Sequence, residues 1–440
     1  MPLIKNLREQ KKEFLEALDL RFTSPEKFRE GLKVYEQFRS LKKEVDDLRA
    51  ERNKKTVEFS KTKNKKIIEE VRKIKKQISD KESRLNETEA ALRSIELTLP
   101  NWVHKETPIG RDDAKNVAVK YWGVPLVKKE FEEQFKQKFP GAKFTASGKK
   151  QLHHADIVEL FDLADTETAS KISGSRFYIE KNELAVLDLA LSLHTMREFI
   201  KLGFTPVVPP YMIKREVEEK ITYFTSFEDA IYSLAQDDLI LITTAEHPLA
   251  AMYRDTMFNK KDLPIRMVAF SPAFRREAGS HGKDTKGIFR THQFNKVELH
   301  SIVEPGRDME ELEFLIDCVE KVMRPLKFPY RIVKNSSGDM DNRALIQYDL
   351  EAWFPAQNEF RELHSLATVG SWISEKLNTK VIINNEKFPV ANLYATGAAV
   401  QRTLLAIFVN NYDADRNVIK IPKVLQEVSG IKAIRVKSKK

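Results

Sequence analysis

Phe274-Arg275-Arg276-Glu277-Ala278-Gly279 runs on through His281-Gly282-Lys283-Asp284-Thr285-Lys286-Gly287 to Phe289-Arg290-Thr291-His292-Gln293-Phe294 and then Lys296-Val297-Glu298. The pattern is a strand, a long glycine-bearing basic loop and a returning strand. Arginines stand at both bases of the loop, with an aromatic and a carboxylate further along the second strand. A planar guanidinium can grip two phosphate oxygens at once. An aromatic ring can stack on a purine, and a buried carboxylate can take an ammonium group. A hairpin that was merely solvated would not need charges in so strict an order. A second cluster is Tyr394-Ala395-Thr396-Gly397-Ala398-Ala399-Val400-Gln401-Arg402-Thr403-Leu404-Leu405. Here small residues lead into an amphipathic helix with one arginine in its first turns. A cation at the positive end of a helix is electrostatically wasteful unless an anion is bound there. On spacing alone, a plain surface arginine is an equal reading.

Outward from these clusters, β-branched runs predict strands at 240–243, 265–270, 297–302 and 346–353. A helix is predicted over 184–202 and an extended proline-rich segment over 205–210. Strands joined by hairpin loops rather than by regular βαβ crossovers predict an α+β fold, an antiparallel sheet flanked by helices. Neither G-x-x-x-x-G-K-[ST] nor G-x-G-x-x-G occurs, so a nucleotide would be held by other means than a P-loop or Rossmann turn.

Residues 32–99 read differently. Phe38, Leu41, Val45 and Leu48 step by 3, 4 and 3. Ile67, Val71, Ile74, Ile78, Lys81, Leu85, Thr88, Leu92 and Ile95 alternate steps of 4 and 3, a heptad seam interrupted at Lys81 and Thr88. The seam fades between Arg52 and Lys66, which predicts two antiparallel helices forming an arm some 45 Å or more long. Between Arg52 and Lys76 stand eleven Lys or Arg and three acids, Glu58, Glu69 and Glu70. Arg52, Lys54, Lys55, Lys61, Lys63, Lys65, Lys66 and Arg72 are the candidate phosphate contacts. With almost no aromatics beside them, they suit the shape and backbone of a nucleic acid rather than its bases. A coiled coil kept soluble by its lysines is the plainer alternative.

The bulk numbers agree. The 440 residues carry a net charge of +10, which favours a polyanionic partner. Cys318 is the only cysteine, so neither a disulfide framework nor a cysteine-rich zinc site can form. It is expected as a small core residue on a helix over 309–323. No apolar run approaches the roughly 20 residues of a membrane span. The N-terminus resembles neither a secretory signal nor a transit peptide, so a cytoplasmic protein is expected.

The quoted stretches resemble motifs 2 and 3 of the class II aminoacyl-tRNA synthetases, and the details are similar to the seryl-tRNA synthetase family. Thr205-Pro206-Val207-Val208-Pro209-Pro210 resembles motif 1, the dimer element. Leu99-Pro100-Asn101, Gly174-Ser175-Arg176-Phe177, Thr244-Ala245-Glu246, Gly338-Asp339 and Tyr348-Asp349-Leu350-Glu351-Ala352-Trp353 follow in the family's order. Ile421-Pro422-Lys423-Val424-Leu425 looks closest to archaeal members. The resemblance implies an N-terminal tRNA-binding domain over 1–110, a linker over 111–150 and a class II catalytic domain over 151–440. It implies activation of L-serine with ATP and transfer to tRNA(Ser), gripped through its long variable arm, by a homodimer that uses Mg²⁺ and no zinc.

Residue by residue, the resemblance gives Arg275 the α-phosphate, Glu277 the adenine side and Phe294 the adenine face. Arg402 takes the γ-phosphate and the opposite face. Arg276, Arg290 and Thr291 complete the ATP set, and Glu362 and Ser365 hold Mg²⁺ and ATP. Thr244, Ala245, Glu246, Glu298, Glu362 and Thr396 form the serine pocket, and Arg275, Arg402 and Glu298 carry the catalysis. The chain departs from the family over Leu366–Lys376, where Thr368 replaces an amide and Glu375-Lys376 a basic pair, and at Tyr394, where motif 3 usually opens with Asn. A non-charging relative that keeps the arm is therefore the rival expectation. An amino acid:carrier-protein ligase is a weaker one, because a small carrier offers the basic arm no ligand.

Overall fold

The computed structural model describes residues 3–223, 228–277, 284 and 286–436. The chain divides into two compact units, Met1–Trp102 with Tyr223–Thr225, and the remainder. Of the quoted basic loop, Ala278, Gly279, His281, Gly282, Lys283 and Thr285 lie outside the described residues.

The first unit is built on two long helices, α1 (Glu26–Thr62) and α2 (Lys65–Glu96). At about 1.5 Å per residue, α1 alone is roughly 55 Å long. The reversal occurs at Lys63, which takes a left-handed conformation (φ 54°), and at Asn64, whose side chain caps α2 by accepting from the Lys66 amide. The seam follows the predicted positions, with Leu41, Val45, Ile67, Ile74, Ile78, Leu92 and Ile95 all buried. Lys81, which breaks the aliphatic repeat, reaches across to Glu44. Arg49 pairs with Glu82 at 2.8 Å and Lys55 with Glu70 at 2.7 Å. At the base, Ile4, Leu7, Phe14, Leu18 and Phe28 close a small core over Leu92, Ile95 and Leu99.

The second unit is organised by one eight-stranded sheet. In chain order its strands are β1 (Val117–Trp122), β2 (Thr205–Val207), β3 (Ile265–Phe274), β4 (Gln293–Val303), β5 (Tyr330–Lys334), β6 (Ile346–Phe354), β7 (Glu359–Gly370) and β8 (Ala391–Ala399). Their spatial order is β1-β5-β6-β7-β8-β4-β3-β2, and every pairing is antiparallel except β3 with β2. This is the α+β antiparallel sheet expected. Three helices cover it: α3 (Asn182–Lys201), α4 (Asp308–Met323) and α5 (Val400–Asn411). Gly397 lets α3 close on β8, for a Cβ there would lie 3.0 Å from the Phe199 ring. Cys318 is fully buried on α4.

Two expectations about segments change. Residues 111–150, read as a linker, are folded: β1 is an edge strand of the main sheet, and Phe135 and Phe139 pack on Trp353 and Phe360. Phenylalanines spaced four apart on the short helix Glu132–Lys138 and its end were too brief a period to separate from a loop. The strand expected at 240–243 spans only Leu239–Leu241 and joins a separate small sheet with Met212–Lys214 and Ser233–Leu234.

Candidate functional site

β3 and β4 are consecutive and antiparallel, with Ala273 opposite Phe294 and Ala269 opposite Glu298. The loop between them begins and ends on the same side of the sheet, so Arg275 and Arg290 face one cavity of about 270 Å³. β8 lies against β4 with Thr396 opposite Glu298, and α5 leaves its end carrying Arg402 into the same space. β7 contributes Glu362 and Ser365. Thr244, Arg275, Glu277, Arg290, Thr291, Phe294, Glu362, Ser365, Thr396 and Arg402 therefore all line one cavity, as does Glu246.

Three of the expected residues do not. Arg276 is exposed: it lies beyond the end of β3, while Arg275 before it and Glu277 after it, the latter in a left-handed conformation (φ 50°), face the cavity. Ala245 is buried among Leu249, Met267 and Ala269. Glu298 is fully buried behind the lining, where it accepts from Thr244 Oγ1 at 3.1 Å and pairs with Lys296.

The cavity has two chemically different ends. At one, Arg275 rests its guanidinium 5.3 Å from the Phe294 ring and donates to the Thr243 carbonyl. Arg290 pairs with Glu277 at 3.0 Å. Arg402 donates to the carbonyls of Phe289 and Glu362, with the Glu362 carboxylate 3.8 Å away. Burial, with Arg290 and Arg275 nearby, holds the Arg402 guanidinium below its ordinary proton affinity, although Glu362 opposes this. Three guanidiniums gathered at one end, with only Glu277 among the described residues in close contact with any of them and Glu362 further off, form a site that gains from receiving an anion.

The other end gathers buried carboxylates with their cationic partners. Burial raises the Glu298 carboxyl, which Lys296 only partly offsets. Burial acts in the same direction on Glu246, but Arg343 and His247 outweigh it and hold Glu246 below the usual carboxylate range. Arg343 donates to Glu246 Oε1 at 2.8 Å and to Asp341 Oδ2 at 2.6 Å, and the Tyr394 hydroxyl donates to Asp341 at 3.2 Å. Beside them Gln347 donates to Asp349, whose carboxyl is raised to about 8 by burial and by Glu362.

Asp341, Arg343, Gln347, Lys296 and Gln401 line the cavity without having been singled out in the sequence. Lys296 and Gln401 lie inside the quoted stretches and lacked only a role. Asp341 and Arg343 follow Gly338-Asp339 in a loop, where no periodicity marks a side chain as inward-facing.

Glu362 and Ser365 offer oxygen donors only, and Asp349, paired with Ser365 across the strands, adds a carboxyl raised by burial and by Glu362. A hard cation shared with phosphate oxygens fits such a donor set. No helix among the described residues is long and apolar enough to cross a membrane.

Against known proteins, residues 2–103 match the seryl-tRNA synthetase N-terminal domain and residues 227–411 the class II tRNA synthetase core domain of the G, H, P, S and T group. The serine–tRNA ligases of Thermococcus onnurineus and Pyrococcus horikoshii are each 40% identical over 413 residues, covering 92% of this chain and 90% of theirs. The crystal structure of the Pyrococcus horikoshii seryl-tRNA synthetase complexed with ATP superposes with a TM-score of 0.90 at 38% identity, covering all of both chains. The cytoplasmic serine–tRNA ligase of Naegleria fowleri, in complex with AMP, superposes with a TM-score of 0.80 at 28% identity, covering 97% of this chain and 96% of that one.

Proposed function

The chain belongs to the seryl-tRNA synthetases, and from that premise we propose that it joins L-serine to ATP as seryl-adenylate and passes the seryl group to tRNA(Ser). The observation that carries this reading is the two-ended cavity. Its guanidiniums suit a triphosphate at one end, and its buried acids suit an α-ammonium at the other.

In the first step a serine carboxylate oxygen attacks the α-phosphorus in line, and the bond to pyrophosphate breaks. No proton need move, so positioning and charge neutralisation supply most of the acceleration. Arg275 takes the α-phosphate and Arg402 the γ-phosphate, and Phe294 stacks on the adenine with Glu277 at its edge. Glu246 and Thr244 take the ammonium group, with Glu298 holding the Thr244 hydroxyl from behind the lining, and Thr396 meets the serine hydroxyl. Mg²⁺, held by Glu362 and Ser365 together with phosphate oxygens, would neutralise charge on the leaving pyrophosphate.

The basic tip of the arm, from Arg52 to Arg72, binds the backbone of the long variable arm of the tRNA. The protein acts as a homodimer in the cytoplasm. Val186, Leu189, Leu193 and Ile200 form an exposed apolar stripe along α3, with Val208 just beyond it. Such a row on a soluble protein marks an interface.

Pyrophosphate exchange with each amino acid in turn tests the reading. Serine-dependent exchange is expected. Exchange with no amino acid, while the arm still binds tRNA, would leave a non-charging relative in its place. Sedimentation showing only a monomer near 50.9 kDa at micromolar concentration would overturn the dimer.

A further inference from the structure

Tyr394 and Thr396 are two residues apart on β8, so both side chains leave the same face, roughly 7 Å apart. Both line the cavity. A substrate side chain that reaches Thr396 and continues along the strand meets the Tyr394 ring next. That ring is held at two points. Its hydroxyl donates to Asp341 Oδ2 at 3.2 Å, and the Arg343 guanidinium lies over its face, 5.3 Å from the centroid. Asp341 in turn accepts from the Arg343 backbone amide at 2.8 Å and from its Nε and Nη2. Arg343 is tied on its far side to Glu246 and to the Ile221 carbonyl.

Arg343 is only 6% exposed and Glu246 3%, so a guanidinium and a carboxylate have been taken out of water to build this clasp, with the half-buried Asp341 closing it on the side of the phenol. A buried ion pair such as Arg343–Glu246 is a poor way to stabilise a fold, since apolar residues of the same volume serve as well or better. Its specific effect is to fix the phenol. The guanidinium already faces two acids, so it is not a receptor for an acidic substrate side chain.

We propose that Tyr394 is the wall that sets the size of the amino acid accepted, and that Asp341 and Arg343 are positioning residues that keep the wall from retreating. The proposal rests on reading the cavity as a serine-activating site. Serine and threonine differ by one methyl group, and packing against a methyl discriminates by about 10- to 200-fold. A ring free to swing aside would give up most of that factor.

The test uses the full-length protein and two hydrolysis-resistant probes, seryl-sulfamoyladenosine and threonyl-sulfamoyladenosine, measured by calorimetry. Serine and threonine exchange rates are measured alongside. The unmodified protein is expected to prefer the seryl probe by a factor in that range. Tyr394→Ala lowers the preference tenfold or more, through tighter binding of the threonyl probe. Tyr394→Phe keeps the ring but not its tether and falls between the two. Asp341→Asn retains an oxygen for the phenol and stays nearer the unmodified protein than Asp341→Ala, a graded rescue that a purely structural role would not give. An unchanged ratio in Tyr394→Ala, or equal losses for both probes, overturns the wall while leaving serine activation standing. If the unmodified protein binds no seryl probe, the serine site itself is wrong and the proposal falls with it.

Discussion

The helical arm and the cavity are both rich in charge, and they treat it in opposite ways. Along the arm, ion pairs such as Arg49–Glu82 and Lys55–Glu70 lie in solvent on a scaffold already held by its aliphatic seam. Water screens them, so each contributes little to stability, and tip lysines such as Lys61 and Lys65, which form no ion pair among the described residues, stay available to phosphates. In the cavity Glu246, Glu298 and Arg343 are buried, and each desolvated group is tied to a partner from another element. Removing one such partner strands a buried charge, which is far more damaging than losing an exposed pair. Charge on the arm is thus a property of the surface as a whole, whereas charge in the cavity belongs to individual atoms.

Replacing residues 40–90 by a short turn separates the two regions most sharply. Aminoacylation should be lost, while serine-dependent pyrophosphate exchange stays nearly intact. Loss of both together would make the arm part of the catalytic fold. Next in size, Arg275→Ala and Arg402→Ala should each slow adenylate formation by roughly 10²-fold or more, as loss of a preorganised charge partner does. Stopped-flow release of pyrophosphate measures this, and unaffected rates would mean the phosphate assignments are misplaced.

On the arm, single changes should be modest and graded. Lys61→Ala should flatten the slope of log affinity against log salt by about 0.7–0.9 if it touches a phosphate. Lys55→Ala should flatten it less, because Glu70 already holds that ammonium group. Equal slopes for the two variants would break the distinction between paired and free tip charges.

The smallest expected effect concerns a buried acid pair behind the cavity. Burial, together with the nearby Asp188, raises Glu180 to about 8, and Gln401 donates to both carboxylates. A carboxyl whose pKa is raised on folding stabilises the fold fully below its unfolded value, about 4.3, and loses that contribution as pH rises towards 8. Tm should therefore fall between pH 5 and 8. Glu180→Gln, which keeps a donor towards Asp188, should flatten that fall by a few degrees in scanning calorimetry. An unchanged profile would assign the pH dependence elsewhere, with Asp349, raised to about 8, the next residue to change.

Much of this organisation was legible in the chain. The period of the seam gave both arm helices, because burial on one face of a helix repeats every 3 or 4 residues regardless of the rest of the fold. The strands at 265–270, 297–302 and 346–353 are present and extend further, since their β-branched runs need no distant partner to be recognised. The ordered charges of the hairpin, and the family they resemble, brought Arg275, Glu277, Arg290 and Phe294 to one cavity. Arg276 was misjudged because the charge order does not say which way a residue faces once the strand has ended and the backbone turns. The folded segment 111–150 was missed because its elements are short.

By itself, the sequence determined which residues share a face of one element, and which chemical groups were on hand for phosphate, ammonium and a polyanion. Local periodicity and residue chemistry act within a few residues, so they survive without a partner. Only the tertiary structure decided the strand order β1-β5-β6-β7-β8-β4-β3-β2 and the pairings it imposes. Arg343 meets Glu246 across 97 positions, and Gln401 meets Asp188 across 213. Such contacts depend on sheet register and on the demand that every buried charge be met, conditions that exist only once the layers have closed.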